Sequence, residues 1–231
     1  MKLELLDAYN IRARLSASIL LLAPIAINLF FLFDAVRSFA TSSVILFVLL
    51  AFTNYIPTLQ RRLGSNKNTP VNYVAEMLSL QDTTFDTVSK TRYYKKLASL
   101  DESFSHFLSP DDSEEFHRCQ ESAVLYLRSQ TRGNHLVQEE NINYGFCRNL
   151  LANKRAGIIM CVGCLISVVF YSIYKYDDLS SIPSQNYLAL VSNMLFLLFW
   201  IFGINKNVLT LAGKHYAKAL IISIDSIEKK R

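Results

Sequence analysis

The stretch AGIIMCVGCLISVVFYSIY, residues 156–174, contains no Asp, Glu, Lys or Arg. A helix of this length rises far enough, at about 1.5 Å per residue, to cross a hydrocarbon core of about 30 Å. Residues 16–33, 42–59 and 187–204 have the same property. A buried core helix is the alternative for any one run, but such helices usually have a charged face. We therefore predict four transmembrane helices.

The composition supports this prediction. The chain has 231 residues, of which 51% are hydrophobic and 19% are charged, below the charged fraction of about a quarter in ordinary soluble domains. The first run also resembles a signal peptide, with Ser38-Phe-Ala40 as a cleavage site. The second apolar run follows at once, which favours an uncleaved hairpin.

The apolar runs divide the chain into four parts. Residues 1–59 are an N-terminal cytoplasmic helix and a first hairpin, and residues 60–155 are a helical insert. Residues 156–204 are a second hairpin, with spans at 156–174 and 187–204, and residues 205–231 are an amphipathic tail helix. The predicted fold class is an all-α integral membrane protein.

The distribution of Lys and Arg predicts the orientation. These residues lie mainly before the first run, in the insert and in the tail. The two other connections have only Arg37 with Asp34, and Lys175 with Asp177 and Asp178. Lys and Arg are enriched on the cytoplasmic side, so both termini and the insert are predicted to be cytoplasmic.

Helical spacing runs through the insert and the tail. In the insert it occurs at residues 71–80, 85–100 and 111–132, and again from near Glu139 or Asn141. The last of these helices could continue without interruption into the third span. The tail repeats apolar residues over 207–228. The pattern leaves open whether this tail helix lies on the membrane or packs on the insert.

Catalytic motifs are not found in the sequence. The four His residues are scattered, and neither a phosphate-binding glycine loop nor a nucleophile elbow occurs. Cys161 and Cys164 have the spacing of a redox or zinc pair, but within an apolar helix two packing residues are the favoured interpretation. We expect neither an enzyme nor a bound metal or cofactor.

One candidate ligand-binding cluster is SKTRYYKK, residues 89–96. Its basic and aromatic residues can hold phosphates and stack on bases: Lys90, Arg92, Tyr93, Lys95 and Lys96. The alternative is ordinary surface charge or contact with anionic lipid. The insert as a whole is nearly neutral, so we do not expect it to bind long duplex nucleic acid.

The second candidate cluster directly precedes the third span, in ENINYGFCRNL, residues 140–150. Here Tyr144 and Phe146 could stack, Arg148 could bind phosphate and Asn149 could read a base edge. Gly145 is a candidate hinge. Arg128, on the third predicted helix, completes the set of ligand-binding candidates. The alternative for the cluster is plain anchoring of the span to lipid headgroups.

Polar residues inside the spans are candidates for pore lining or for helix interfaces. An amide in hydrocarbon requires a partner, and the residues concerned are Asn28, Asn54, Ser192 and Asn193. Pro24 is a candidate hinge in the first span. The absence of ionised residues from the runs disfavours a pump, whereas a passive pore assembled from several subunits is compatible with them.

Three stretches carry a resemblance to a known group: DTTFDTVSKTRYYKKL (82–97), ENINYGFCRNL (140–150) and YAKAL (216–220). They resemble bacterial four-span membrane effectors of anti-phage systems, the group of the Hailong channel effectors. In that group a second basic residue is expected where Cys147 stands.

The resemblance implies a homotetrameric ion channel in the bacterial inner membrane. A nucleotide or a short single-stranded oligodeoxyadenylate, made by a nucleotidyltransferase, would open it. The channel would then depolarise the membrane and cause abortive infection. Two alternatives remain open: a membrane sensor or scaffold that docks a soluble effector protein, and a constitutive small-molecule transporter.

Overall fold

All regular structure in the described part of the chain is helical. The computed structural model describes residues 9–37, 71–111 and 113–228. No strand occurs among these residues, so the all-α prediction is confirmed for them. The predicted span at 42–59, with Asn54, lies outside the described residues.

The described residues form α-helices, π-helical turns and short 3-10 segments. The α-helices are α1 (Ser16–Leu32), α2 (Tyr73–Met77), α3 (Thr87–Leu100), α4 (Glu114–Gln130), α5 (His135–Lys175), α6 (Ser184–Leu198) and α7 (Lys206–Ile222). The first π turn (Asn10–Leu15) precedes α1, and the second π turn (Phe199–Gly203) follows α6. The 3-10 segments are Asp34–Arg37, Glu102–Leu108, Leu179–Ser181 and Ser223–Ser226.

Three of the described helical stretches are long and apolar enough to cross a membrane: Asn10–Leu32, His135–Lys175 and Ser184–Gly203. The helix α5 contains the whole run 156–174 and confirms that the last insert helix continues into the third span. It begins at His135, before the predicted start near Glu139 or Asn141. The reason is a cap, because the Asn134 side chain accepts a hydrogen bond from the Val137 amide at 3.2 Å.

The chain divides into two compact units, which we name the membrane unit and the insert unit. The membrane unit comprises Met1–Lys67 and Gly145–Leu209, and the insert unit comprises Asn68–Tyr144 and Thr210–Arg231. The predicted insert and the predicted tail therefore belong to one unit. Each unit is built from two separate pieces of chain.

The membrane unit has apolar side chains on its outside. Phe170 and Ile173 are each 71% exposed and Phe202 is 70% exposed. Such a surface is typical of contact with hydrocarbon, since soluble proteins rarely expose large contiguous apolar patches. Inside the unit, small and large apolar residues pack together: Ala17, Leu21, Leu150, Cys161, Trp200 and Ile204.

Buried amides connect the helices of the membrane unit. The Asn28 amide donates to the Cys164 carbonyl at 2.9 Å, and the Asn193 amide donates to Asn28 Oδ1 at 2.6 Å. The Asn186 amide donates to Ser172 Oγ at 2.8 Å. An amide in an apolar interior is stable only with such partners, so these bonds fix which faces of α1, α5 and α6 meet.

The insert unit is held by an aromatic core. Tyr94 stacks on Phe107 with ring centroids 5.2 Å apart and an interplanar angle of 15°. Phe116 meets both rings edge-on, at 5.8 Å and 5.5 Å. Burial raises the pKa of Tyr94 to about 12. Asp86 caps α3, because its carboxylate accepts from the Ser89 amide at 2.8 Å.

The tail packs on the insert. Tyr216, Leu220, Ile221, Ile224 and Ile227 are all buried in the same cluster as the aromatic core. Alternating small and apolar residues on α7 produce this buried face. The structure thus decides between the two positions that the sequence pattern left open for the tail helix.

Candidate functional site

The insert unit contains a cavity of about 320 Å³ lined mainly by apolar and aromatic side chains. Residues from α2, α4, α5 and α7 surround it, with Val71 and Asn72 before α2. Its polar and aromatic lining consists of Asn72, Tyr73, Glu121, Arg128, Tyr144 and Tyr216. Two of the residues predicted from the sequence, Arg128 and Tyr144, therefore line one pocket. We name it the tyrosine pocket after Tyr73, Tyr144 and Tyr216.

Arg128 is the cation of this pocket. Its Nε donates to the Tyr216 hydroxyl at 3.2 Å, and its guanidinium carbon lies 5.5 Å from the centre of that ring. This bond and the ring orient the guanidinium, whose terminal nitrogens form no other hydrogen bond with the described residues. Arg128 is exposed at the rim, so it can bind an anionic group of a ligand.

Stacked tyrosines form one wall of the pocket. Tyr144 and Tyr216 have ring centroids 6.0 Å apart and an interplanar angle of 13°. Tyr73 also lines the pocket, and its hydroxyl donates to Thr210 Oγ1 on α7 at 3.4 Å. Three flat rings in one pocket are suited to a flat ligand, because stacking needs only a π face.

Gly213 permits this arrangement. A Cβ atom at this position would collide with the Tyr73 ring and would lie 3.3 Å from Cε2 of Tyr144. Both rings therefore approach the backbone of α7 because that residue has no side chain. Gly213 is the glycine that lines the pocket among the described residues.

Glu121 and Asn72 add polar groups to the lining of the pocket. Asn72 Nδ2 donates to the Glu121 carbonyl at 3.1 Å, and its Oδ1 caps α2 by accepting from the Ala75 amide at 3.2 Å. The pocket thus has one carboxylate besides the guanidinium. It fits a ligand with a flat ring and limited negative charge better than a polyanion.

The first predicted cluster, residues 89–96, contributes mainly to the fold. Lys90 is 6% exposed, and its ammonium donates to the Ser79 carbonyl at 2.6 Å and to the Asp82 carbonyl. Burial lowers the pKa of Lys90, although the charge of Asp82 opposes this shift. Tyr93 is also buried, edge-on against Phe85. Neither Lys90 nor Tyr93 lines the pocket.

The other basic residues of that cluster lie at the surface. Arg92 forms an ion pair with Asp225 at 2.9 Å, and its guanidinium carbon lies 5.1 Å from the centre of the Tyr93 ring. Lys95 is exposed and Lys96 is partly buried. None of these three basic residues lines the tyrosine pocket. Their role in ligand binding stays a prediction.

The second predicted cluster is divided between the units. Tyr144 ends the first piece of the insert unit, and Gly145 begins the second piece of the membrane unit. Phe146 packs against the apolar cluster of the membrane unit, and Asn149 donates to the Ala13 carbonyl at 2.8 Å. Arg148 is exposed. Residues 140–144 of this cluster therefore belong to the insert unit, and residues 145–150 belong to the membrane unit.

The predicted hinges have packing roles in the structure. A Cβ atom at Gly145 would lie 2.6 Å from the Tyr9 hydroxyl oxygen, so the glycine makes room for that ring. Pro24 is buried in the interior of α1. Whether either residue bends during function stays a prediction.

Some of the polar residues predicted inside the spans form contacts between helices. Asn28 and Asn193 bond to each other at 2.6 Å, and Ser192 beside them is partly buried. In the described part of the chain the two amides therefore serve the helix interface. Pore lining by any of these residues stays a prediction.

Among the pocket residues that were not predicted as ligand-binding, Tyr73, Gly213 and Tyr216 determine the arrangement of the rings. The sequence carried a signal for two of them: Gly213 and Tyr216 lie on the apolar face of the tail helix, where a glycine leaves room for a neighbouring ring. Tyr73 had no such signal. No group of three or more His, Cys, Asp or Glu side chains that could hold a metal occurs in the described residues.

Comparisons with known proteins add no further assignment. No protein-family model, curated protein or solved structure matches the chain. The class of the molecule is therefore given by its own features: an all-α protein with long apolar helices and a separate helical unit that contains a tyrosine-lined pocket.

Proposed function

We propose that this chain is an anti-phage membrane effector of bacteria, an oligomeric ion channel that a nucleotide or a short single-stranded oligonucleotide opens. The ligand binds in the tyrosine pocket of the insert unit. The apolar helices of several subunits then form a conducting path, and the resulting leak depolarises the membrane and arrests the infected cell. The resemblance of residues 82–97, 140–150 and 216–220 supports the same proposal.

The combination of an oriented arginine with stacked tyrosines carries the proposal. Arg128 is oriented by Tyr216, and Tyr144 stacks on that ring. A guanidinium binds phosphate through paired, charge-assisted hydrogen bonds, and tyrosine rings stack on nucleobases. A phosphate and a base are the two parts of a nucleotide.

The size of the pocket limits the ligand. Its volume of about 320 Å³ lies at the lower end of the range of about 300–1,000 Å³ that is usual for ligand pockets. One nucleotide unit fits this volume, whereas a duplex does not. The carboxylate of Glu121 at the pocket further disfavours a ligand with several phosphates at one point.

The helices that build the pocket also suggest how binding reaches the membrane. Tyr144 belongs to α5, which continues along the chain into the run 156–174. Gly213 and Tyr216 belong to α7, which follows the second π turn. A ligand shifts a conformational equilibrium only by its differential affinity for the two states. We therefore expect the pocket to bind more tightly in the open channel.

Flux through liposomes tests the proposal. The purified full-length protein is reconstituted with a fluorescent ion indicator, and a short oligodeoxyadenylate and a set of cyclic dinucleotides are added in turn. We expect flux with at least one probe. Absence of flux with every cyclic and linear oligonucleotide, including the product of a neighbouring nucleotidyltransferase, would contradict the proposal.

Two arginine variants on α4 link any flux to the pocket. Arg128→Ala removes a charge-assisted bond worth about 1.5–3 kcal/mol, which corresponds to a roughly 10- to 150-fold higher half-maximal probe concentration. Arg118→Ala is the matched control, because Arg118 lies on the same helix, forms an ion pair with Glu114 at the surface and does not line the pocket. Equal responses of the two variants would argue against this pocket as the ligand site.

Exposed apolar residues beside the pocket favour a second candidate function. Leu125 is 69% exposed and Val71 is 60% exposed, and both line the pocket. They would suit an apolar side chain of a docked soluble effector protein. The variant Leu125→Asp distinguishes the channel from the scaffold. If the protein is a scaffold, Leu125→Asp should abolish a stoichiometric protein complex, and Arg128→Ala should have little effect on that complex.

A further inference from the structure

The fourth predicted span ends in an unusual conformation. The helix α6 passes directly into the second π turn, Phe199–Gly203, and the chain becomes extended at Ile204. A π turn contains one residue more than an α turn and is rare, and it occurs often at functional sites. An α-helical register of the same residues is therefore an available alternative.

Lys154 holds the π register by its ammonium group. This group donates to the Ile201 carbonyl at 2.8 Å and to the Ile204 carbonyl at 2.6 Å. The last carbonyls of a helix have no partner within the helix, so Lys154 caps the π turn from α5. A change of register would move both carbonyls away from the ammonium.

Trp200 and Gly157 form a second contact that depends on this register. Trp200 is fully buried, and a Cβ atom at Gly157 would collide with its ring. The indole Nε1 has no hydrogen-bond acceptor among the described residues. A buried tryptophan usually has a partner for this group, so the π register buries a donor that another register could release toward the membrane interface.

The first π turn also accepts a hydrogen bond from a side chain of α5. Asn149, also on α5, donates to the Ala13 carbonyl inside the turn Asn10–Leu15 at 2.8 Å. Thus both π turns in the described part of the chain accept hydrogen bonds from α5, through side chains five positions apart. This repetition argues against an accidental contact at Lys154.

We propose that the fourth apolar helix has two registers, and that Lys154 together with the contact between Gly157 and Trp200 selects the π register. Conversion of the turn to an α-helix would rotate α6 by about 100° and shift it by about 1.5 Å relative to the residues that follow. The hydrogen bonds of Asn193 and Asn186 could not survive this rotation. The two registers are therefore discrete states.

The single tryptophan of the chain reports the register directly. In the wild type in detergent or liposomes we expect Trp200 emission at short wavelength with little quenching by acrylamide. Lys154→Met should shift the emission to longer wavelength and raise the quenching severalfold. Lys154→Arg, which keeps the donors, should restore much of the wild-type signal. The matched control is Lys206→Met, which removes an exposed lysine close to the same turn.

Gly157→Ala provides an independent variant, because the added methyl group must displace the Trp200 ring while Lys154 remains. The proposal is overturned if both Lys154→Met and Gly157→Ala keep the wild-type emission. It is equally overturned if both variants lose their helical circular dichroism, since only one register would then be permitted. These measurements need neither a ligand nor ion flux, so their failure is distinguishable from failure of the proposed channel function.

Discussion

The two units use polar and apolar side chains in opposite ways. The membrane unit exposes Phe170 and Ile173 and buries Asn28 and Asn193. The insert unit buries rings such as Phe116 and exposes most of its charged side chains. One chain therefore contains a unit suited to hydrocarbon and a unit suited to water.

This difference shows what stabilises each unit. In water, burial of apolar surface provides the main driving force, at about 25 cal/mol per Å². In lipid that force is absent between helices, and packing and interhelical hydrogen bonds replace it. We expect the stability of the insert unit to depend on its buried aromatic rings. We expect the stability of the membrane unit to depend on its apolar exterior and on its buried amides.

Truncation of a core ring should have the largest effect. Phe116 is 1% exposed and contacts Tyr94 and Phe107, so Phe116→Ala should destabilise the insert unit by about 3–5 kcal/mol. Denaturation of the full-length protein in detergent, followed by circular dichroism, measures this change. Val88→Ala, at a position 80% exposed, should stay within about 0.5 kcal/mol of the wild type. Similar stabilities of the two variants would contradict the comparison.

Introduction of an exposed lysine should have the second largest effect, and only in the membrane unit. Ile166 is 51% exposed on α5 near the middle of the run 156–174, so Ile166→Lys should disfavour membrane insertion by about 2.5–3.5 kcal/mol. Val88→Lys, on the insert unit, should leave insertion and yield unchanged. A membrane-insertion reporter measures both variants. Normal insertion of Ile166→Lys would show that this face does not contact lipid.

Removal of one amide from the membrane unit should have a smaller effect. Asn193→Leu deletes the donor to Asn28 Oδ1 and to the Ala189 carbonyl. Interhelical hydrogen bonds in membranes contribute about 0.6 kcal/mol on average and up to about 1.7 kcal/mol, so thermal stability in detergent should fall only slightly. Met194→Leu, at the neighbouring exposed position, is the control. A loss as large as that of Phe116→Ala would contradict this account of the unit.

Acid should have the smallest effect, and only on the insert unit. Hydrogen bonds from the Ser89 hydroxyl and amide lower the pKa of Asp86 below its ordinary value of 3.8. Since the folded pKa is depressed, the stabilisation is present above the ordinary value and is lost as the pH falls through the folded pKa. Asp86→Asn should therefore show a shallower decline of thermal stability in acid than the wild type. An identical pH profile would exclude a contribution from this cap.

The sequence predicted the helices well where a local signal exists. Long apolar runs predicted the membrane helices at 16–33, 156–174 and 187–204, because crossing hydrocarbon requires length and low charge in a single segment. Helical spacing indicated that the last insert helix could continue into the run 156–174, as α5 does. Its exact start was missed, since the cap at Asn134 depends on one side-chain rotamer.

The candidate site was predicted only in part, because its residues are distant in the chain. Tyr73, Arg128, Tyr144 and Tyr216 come from four helices, and no local pattern indicates that they meet. The sequence also indicated a ligand-binding residue that has a structural role, again because its contacts depend on the fold. Lys90 has the composition of a phosphate ligand, yet its partners are carbonyls of a loop at Ser79 and Asp82 whose position depends on the fold.

The two-piece construction of the insert unit has a consequence for biosynthesis. Its core includes Leu220, Ile221 and Ile224, which leave the ribosome only after the second predicted hairpin has been made. The first piece, Asn68–Tyr144, is therefore synthesised first. Its apolar face stays uncovered until the residues of the tail follow the second predicted hairpin. A pause in translation before residue 210 would prolong this exposure and favour chaperone binding or aggregation. The pocket can therefore be completed only after the second predicted hairpin has been synthesised, because Gly213 and Tyr216 follow it in the chain.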